Sequence, residues 1–194
     1  MSAGEIGQRI KAFRQDLRTL SPEEVVKRHL TFGQCFALGD PQYFDLKKAV
    51  ADHFGVHHSA VLLVGSGKLG FSVVPHKRYH HFHDRSDLDL AVVSADLFDQ
   101  IWLDAYRFSQ TKALWADADE FKDYLFRGWI RPDKLPPADA FERRANWWEF
   151  FRKLTSSGQF GRYRIAAGLY RSWQFLEDYQ QVCIRACRER ETGI

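Results

Sequence analysis

Two short stretches hold the residue types best suited to chemistry: Gly65-Ser66-Gly67-Lys68 and Asp87-Leu88-Asp89. Glycines at the end of a strand let backbone N–H groups approach an anion closely, because no Cβ stands in the way. Two carboxylates spaced by two on a strand project from one face. Their mutual repulsion is relieved by a divalent cation, and hard oxygen ligands suit Mg²⁺. The same acid pair would also serve as a solvated strand mouth. A P-loop is excluded on two positions: its first glycine falls on Leu62, and Lys68 is followed by Leu69 rather than Ser or Thr.

Elements that could position these residues are legible around them. Ala60–Val64 is a short apolar run ending at Gly65, and Leu88–Val93 is a second run interrupted only by Asp89; both read as buried strands. Ser94 caps a following helix carrying Leu97, Ile101 and Phe108. Upstream, residues 5–20 read as an amphipathic helix. Ser21-Pro22-Glu23-Glu24 is a capping-box start, and Asp40-Pro41 opens a helix that Gly55 ends after Phe54. Downstream, Asp117–Phe126 and Asp139–Leu154 are helix candidates, Thr155–Gly158 a turn, Arg162–Tyr170 a further strand and Ser172–Glu191 a closing helix. The expectation is one α+β domain over 1–194. It has N-terminal helices over 1–58, a small mixed sheet bearing the motifs over 60–110, and a mainly helical part with one more strand over 111–194.

Strand, Gly65-Ser66, a loop, then Ser86-Asp87-Leu88-Asp89-Leu90-Ala91-Val92 resembles the signature of the DNA-polymerase-β-like nucleotidyltransferase superfamily. The resemblance covers roughly residues 61–93. It implies that Gly65 and Ser66 contact a triphosphate and that Asp87 and Asp89 hold Mg²⁺, or Mn²⁺ in its place. The implied reaction moves a nucleoside monophosphate from an NTP to a hydroxyl of RNA, protein or a small molecule, releasing pyrophosphate. The sequence departs from the family twice. Val73–Asp84 looks inserted, and many active members carry a third metal-binding acid on a later strand, where Arg162–Tyr170 has none. Asp117, Asp119, Glu142 and Glu149 fall in expected helices. The alternative is therefore a catalytically degenerate module that binds nucleotide or RNA and acts through a protein partner, as small relatives do in toxin–antitoxin or defence systems. A third reading is an interaction protein with an incidental Asp pair.

The connection between the motifs crowds His76, Lys77, Arg78, His80, His81, His83, Asp84 and Arg85 around Tyr79 and Phe82. Loops this long are commonly functional. His83 and Arg85, with Lys77, are expected along a polyphosphate or base. A transition-metal site on His81, His83 and Asp84 matches no standard spacing. Lys68 either reaches a phosphate or is solvated. Arg162 and Arg164 share one strand face, where they would meet a nucleotide or, by the stronger expectation, guard a sheet edge. Trp147, Phe150, Phe151 and Leu154 repeat at helical spacing as core, leaving Trp148 toward a partner.

Composition sets the outer bounds. Hydrophobic residues at 45% support a packed core rather than disorder. The net charge of +3 is unevenly spread: residues 1–120 carry 14 Lys/Arg against 16 Asp/Glu, and residues 121–194 carry 14 against 9. The basic second half suits a polyanion or a solvated helix face. Cys35, Cys183 and Cys187 make an odd count, which points to free thiols in a cytoplasmic setting. No membrane segment and no secretory signal is expected.

Overall fold

The computed structural model describes residues 3–192. It is mixed α+β: eight helices around one four-stranded sheet among the described residues. Helix α1 (Ala3–Thr19) buries Ile6, Phe13 and Leu17. Helix α2 (Pro22–Val26) starts at the expected capping box, with Glu24 N–H on Ser21 Oγ at 3.2 Å and Ser21 N–H on Glu24 Oε2 at 2.9 Å. It continues as a π-helical turn, Lys27–Thr31. Helix α3 (Asp40–Phe54) ends at Gly55, whose φ of +65° is the left-handed stop expected there. Its start differs from expectation: Gly39 occupies the cap position and Asp40 lies in the first turn, where its charge meets the positive end of the helix.

Strand β1 (Val61–Val64) runs into the five-residue helix α4 (Gly65–Leu69). Strand β2 (Leu88–Val93) follows the long connection and leads through the Ser94 cap into α5 (Ala95–Ser109). Helix α6 (Ala118–Phe126) precedes a two-residue strand β3 (Trp129–Ile130), which the sequence pattern did not announce because two residues are too few to show a period. Helix α7 (Glu142–Ser156) starts later and ends later than expected, taking Thr155 and Ser156 out of the supposed turn. Strand β4 is Ile165–Tyr170, three residues shorter than the alternation suggested, and α8 (Trp173–Thr192) closes the chain segment.

The sheet order is β1-β2-β4-β3, with β2 and β4 parallel and the outer pairs antiparallel. On β2, Leu88, Leu90 and Val92 enter the main core, while Ala91 and Val93 join a smaller cluster with Leu62, Val64, Tyr170 and Leu176 of α8. Asp89 has the parity of this second face and is the exposed residue of its strand. The main core contains residues from Ile6 to Cys187. Trp147 and Phe151 are buried in it as expected, while Trp148 is 38% exposed. All three cysteines are free. No helix is long and apolar enough to cross a membrane among the described residues.

Candidate functional site

The turn after β1 and the start of β2 meet because β1 and β2 are antiparallel, with Val64 opposite Asp89. Gly65 adopts φ +63°, a conformation that costs any residue with a Cβ. A Cβ placed there would stand 3.4 Å from Asp89 Oδ2, so any side chain at this position would touch the carboxylate. Gly65, Ser66, Asp87 and Asp89 line one pocket of about 360 Å³. Ser66 Oγ makes no hydrogen bond to the described residues and is free to meet a ligand.

The connection folds over this pocket. Phe71 bridges to His81, Ser72 N–H donates to His80 O at 2.9 Å, and Phe82 N–H donates to Gly70 O at 2.8 Å. The loop thereby presents Lys77, His80, His81, His83 and Arg85 to the pocket wall. His83 is set by two bonds: its N–H donates to Ser86 Oγ at 3.1 Å, and its Nδ1 accepts from Arg85 N–H at 3.1 Å. The underside of the loop is tied elsewhere. Tyr79 takes φ +62° and its hydroxyl donates to Glu191 Oε2 at 3.2 Å. The Glu191 side chain, 4% exposed, also receives Arg14 Nε at 2.6 Å and Arg18 Nη2 at 3.2 Å. Burial pushes Glu191 up, but Arg14, Tyr79 and Arg18 outweigh it and hold the carboxyl below its usual range.

The decisive contact was not the favoured reading of the sequence. Strand β4 lies inside the sheet, paired along its length with β2 and at its end with the two-residue β3, and Arg164 stands just before it rather than on an outer strand. Leu88 N–H donates to Arg164 O at 2.8 Å, and Ala166 lies opposite Asp89, which brings Arg164 onto the acid face. Its guanidinium grips Asp87 with both arms: Nε reaches Oδ1 at 3.1 Å and Nη2 pairs with Oδ2. The alternation around Ile165 signalled the face, but nothing local signalled the parallel partner.

The Asp89 carboxylate has no hydrogen bond or ion pair to a described residue. Its carboxyl opens to the pocket yet is crowded by protein. Desolvation and then the Asp87 charge raise its pKa, and Arg164 partly offsets them. Lys68 is not solvated: it is 2% exposed, its ammonium pairs with Gly33 O, and it does not line the carboxylate pocket. Among the described residues no group of three or more His, Cys, Asp or Glu side chains comes together to hold a metal. That overturns the His81, His83 and Asp84 cage. The later acids are committed elsewhere: Asp117 to Lys134 at 3.2 Å, Asp119 to Lys122 at 2.9 Å, Glu142 to Asn146 at 3.3 Å and Glu149 to Lys153 at 2.6 Å.

The arrangement therefore offers one unpartnered carboxylate, a second held by a cation, and a rim of imidazoles and cations. The side chains able to hold a hard divalent ion here are Asp89 and, only where Arg164 yields, Asp87. A larger cavity of about 470 Å³ lies between α3, α5 and α7, away from these acids. Its charged rim is internally neutralised by Lys153–Glu149 and by Arg143 on Asp104 at 2.9 Å, so it offers less chemistry. Compared with protein-family models, curated proteins and solved structures, the chain matches none.

Proposed function

We propose that this pocket binds a nucleoside triphosphate as its Mg²⁺ complex and transfers the nucleoside monophosphate to a hydroxyl acceptor, as the resemblance to polymerase-β-like nucleotidyltransferases implies. The observation that carries the reading is that the Gly65 turn and the Asp89 carboxylate line one pocket, with Val64 opposite Asp89, which joins an anion-accepting turn to a cation-seeking carboxylate. Asp89 would hold the metal, whose charge neutralises the phosphate oxygens. Gly65 and Ser66 cradle the phosphates, and Lys77 and Arg85 on the loop balance their remaining charge. In the transfer, a P–O bond forms to the acceptor oxygen as the bond to pyrophosphate breaks, and the hydroxyl proton is released to solvent. Positioning and electrostatics supply the acceleration.

One observation favours a second reading. Arg164 stands on Asp87, and among the described residues no third acid joins the pair, which suits a module that binds nucleotide without turnover and acts through a partner. Both readings are tested together by incubating the protein with labelled ATP, GTP, CTP or UTP and Mg²⁺ while following melting temperature. Nucleotide-dependent stabilisation with pyrophosphate release, both lost in Asp87→Ala/Asp89→Ala, supports transfer. Stabilisation without release supports the module. No stabilisation by any nucleotide sinks both and leaves an interaction protein with an incidental acid pair.

A further inference from the structure

Lys68, absent from the carboxylate pocket, lines a cavity of about 270 Å³ together with Arg9, Arg28 and His29. This cavity shares helix α4 with the carboxylate pocket but none of its lining residues. Of the side chains that line it, four are basic and none is acidic. The acids behind them are too few for the cations. Asp16 alone serves Arg28 at 3.0 Å and His29 at 2.8 Å, and Arg9 meets Glu5 only at 3.6 Å.

Lys68 has no carboxylate partner among the described residues, although its side chain is almost entirely buried. A buried ammonium without a counter-charge is costly. Its one hydrogen bond goes to the Gly33 carbonyl, which leaves two of three N–H donors uncommitted. Burial pushes the Lys68 amine down, and Arg9 and Lys47 push it further, with only the Cys35 thiol opposing. No carboxylate is among the groups acting on this nitrogen.

We infer that this cavity is a binding site for a phosphate-type oxyanion, held by Lys68 and Arg9 with Arg28 and His29 at its wall. A tetrahedral oxyanion presents several acceptors to converging donors, where a monocarboxylate presents two oxygens in a plane. Because Phe36 and Ala37 N–H groups already donate to the Gly67 and Lys68 carbonyls at 2.9–3.2 Å, an anion here stiffens the helix that carries Gly65 and Ser66. Phosphate here requires no nucleotide in the carboxylate pocket, with which the cavity shares no lining residue.

The test is melting temperature against inorganic phosphate, with acetate and KCl arms at matched ionic strength. Phosphate should raise the wild-type value by roughly 3–5 °C once it stands about tenfold above its dissociation constant. The rise should vanish in Lys68→Met and shrink in Arg9→Gln, a surface change that keeps the fold if Lys68→Met does not. It should survive in Asp87→Asn/Asp89→Asn. Equal shifts from acetate or KCl, an unchanged shift in Arg9→Gln, or a loss confined to the Asp87/Asp89 variant would each overturn the site.

Discussion

Replacing Arg164 with glutamine isolates the contact that distinguishes this pocket. The Arg164 side chain is 71% exposed and that of Asp87 33%, so the pair belongs with solvent-screened bridges worth about 0–1 kcal/mol despite its two-armed geometry. For a chain of this length that is a loss of at most about 4 °C in melting temperature. The change in metal binding runs the other way. A divalent ion on Asp87 must displace the guanidinium in the wild type, and Arg164→Gln removes that competition. The same 1 kcal/mol corresponds to a gain in Mg²⁺ affinity of up to about fivefold. Removing the cation also leaves the Asp87–Asp89 repulsion unrelieved, so the free protein is less stable and the metal-bound form recovers more. The assay is thermal melting across a Mg²⁺ titration, repeated with Mn²⁺ and read by its paramagnetic signal. An unchanged or weaker metal response in Arg164→Gln refutes the competition argument, as does a collapse of the fold that Mg²⁺ fails to relieve.

Three further outcomes follow from the same geometry. Asp89 has a folded-state pKa above its unfolded value, so its ionisation costs stability as pH rises through that interval, and the cost is full above it. Asp89→Asn should therefore raise the metal-free melting temperature near pH 7.5, by at most about 2 °C for so exposed a group, with the gain fading toward pH 4; a gain that grows on acidification contradicts this. Gly65→Ala meets strain of about 1–2 kcal/mol from its positive φ, while its Cβ contact at 3.4 Å is ordinary. It should fold with a modestly lower melting temperature and lose nucleotide-dependent stabilisation, and retention of a full nucleotide response argues against the turn as the phosphate cradle. Glu191 is held below its usual pKa, so its contribution is present at neutral pH and lost as pH falls through the folded value. Glu191→Gln should cost roughly 1.5–3 kcal/mol at pH 7 and progressively less in acid, measured by denaturant unfolding at several pH values.

What the sequence disclosed depended on the range of the interaction. The capping box at Ser21, the left-handed stop at Gly55 and the Ser94 cap are decided within four residues, and each formed as read. The α+β class and the two motif strands followed from apolar runs long enough to show a pattern. The meeting of Gly65 with Asp89 needed only that neighbouring strands pair. Which of the two readings of Arg164 holds depends on β4 entering the sheet beside β2, 77 residues from Asp87, and no local signal decides it. The burial of Lys68 has no periodic signal, because it comes from the 33–37 segment folding over α4. The roles of Glu191 and β3 likewise had no local signal.

The central position of β4 also has a consequence for synthesis. On a ribosome, β2 emerges with its two carboxylates long before residues 164–170 exist. Until then Asp87 lacks its cation and one edge of β2 is open to any passing strand. The loop over the pocket waits longer still, for Glu191, 112 residues beyond Tyr79. Chains arrested before β4 should therefore be the aggregation-prone ones, and the pocket is among the last parts of the molecule to mature.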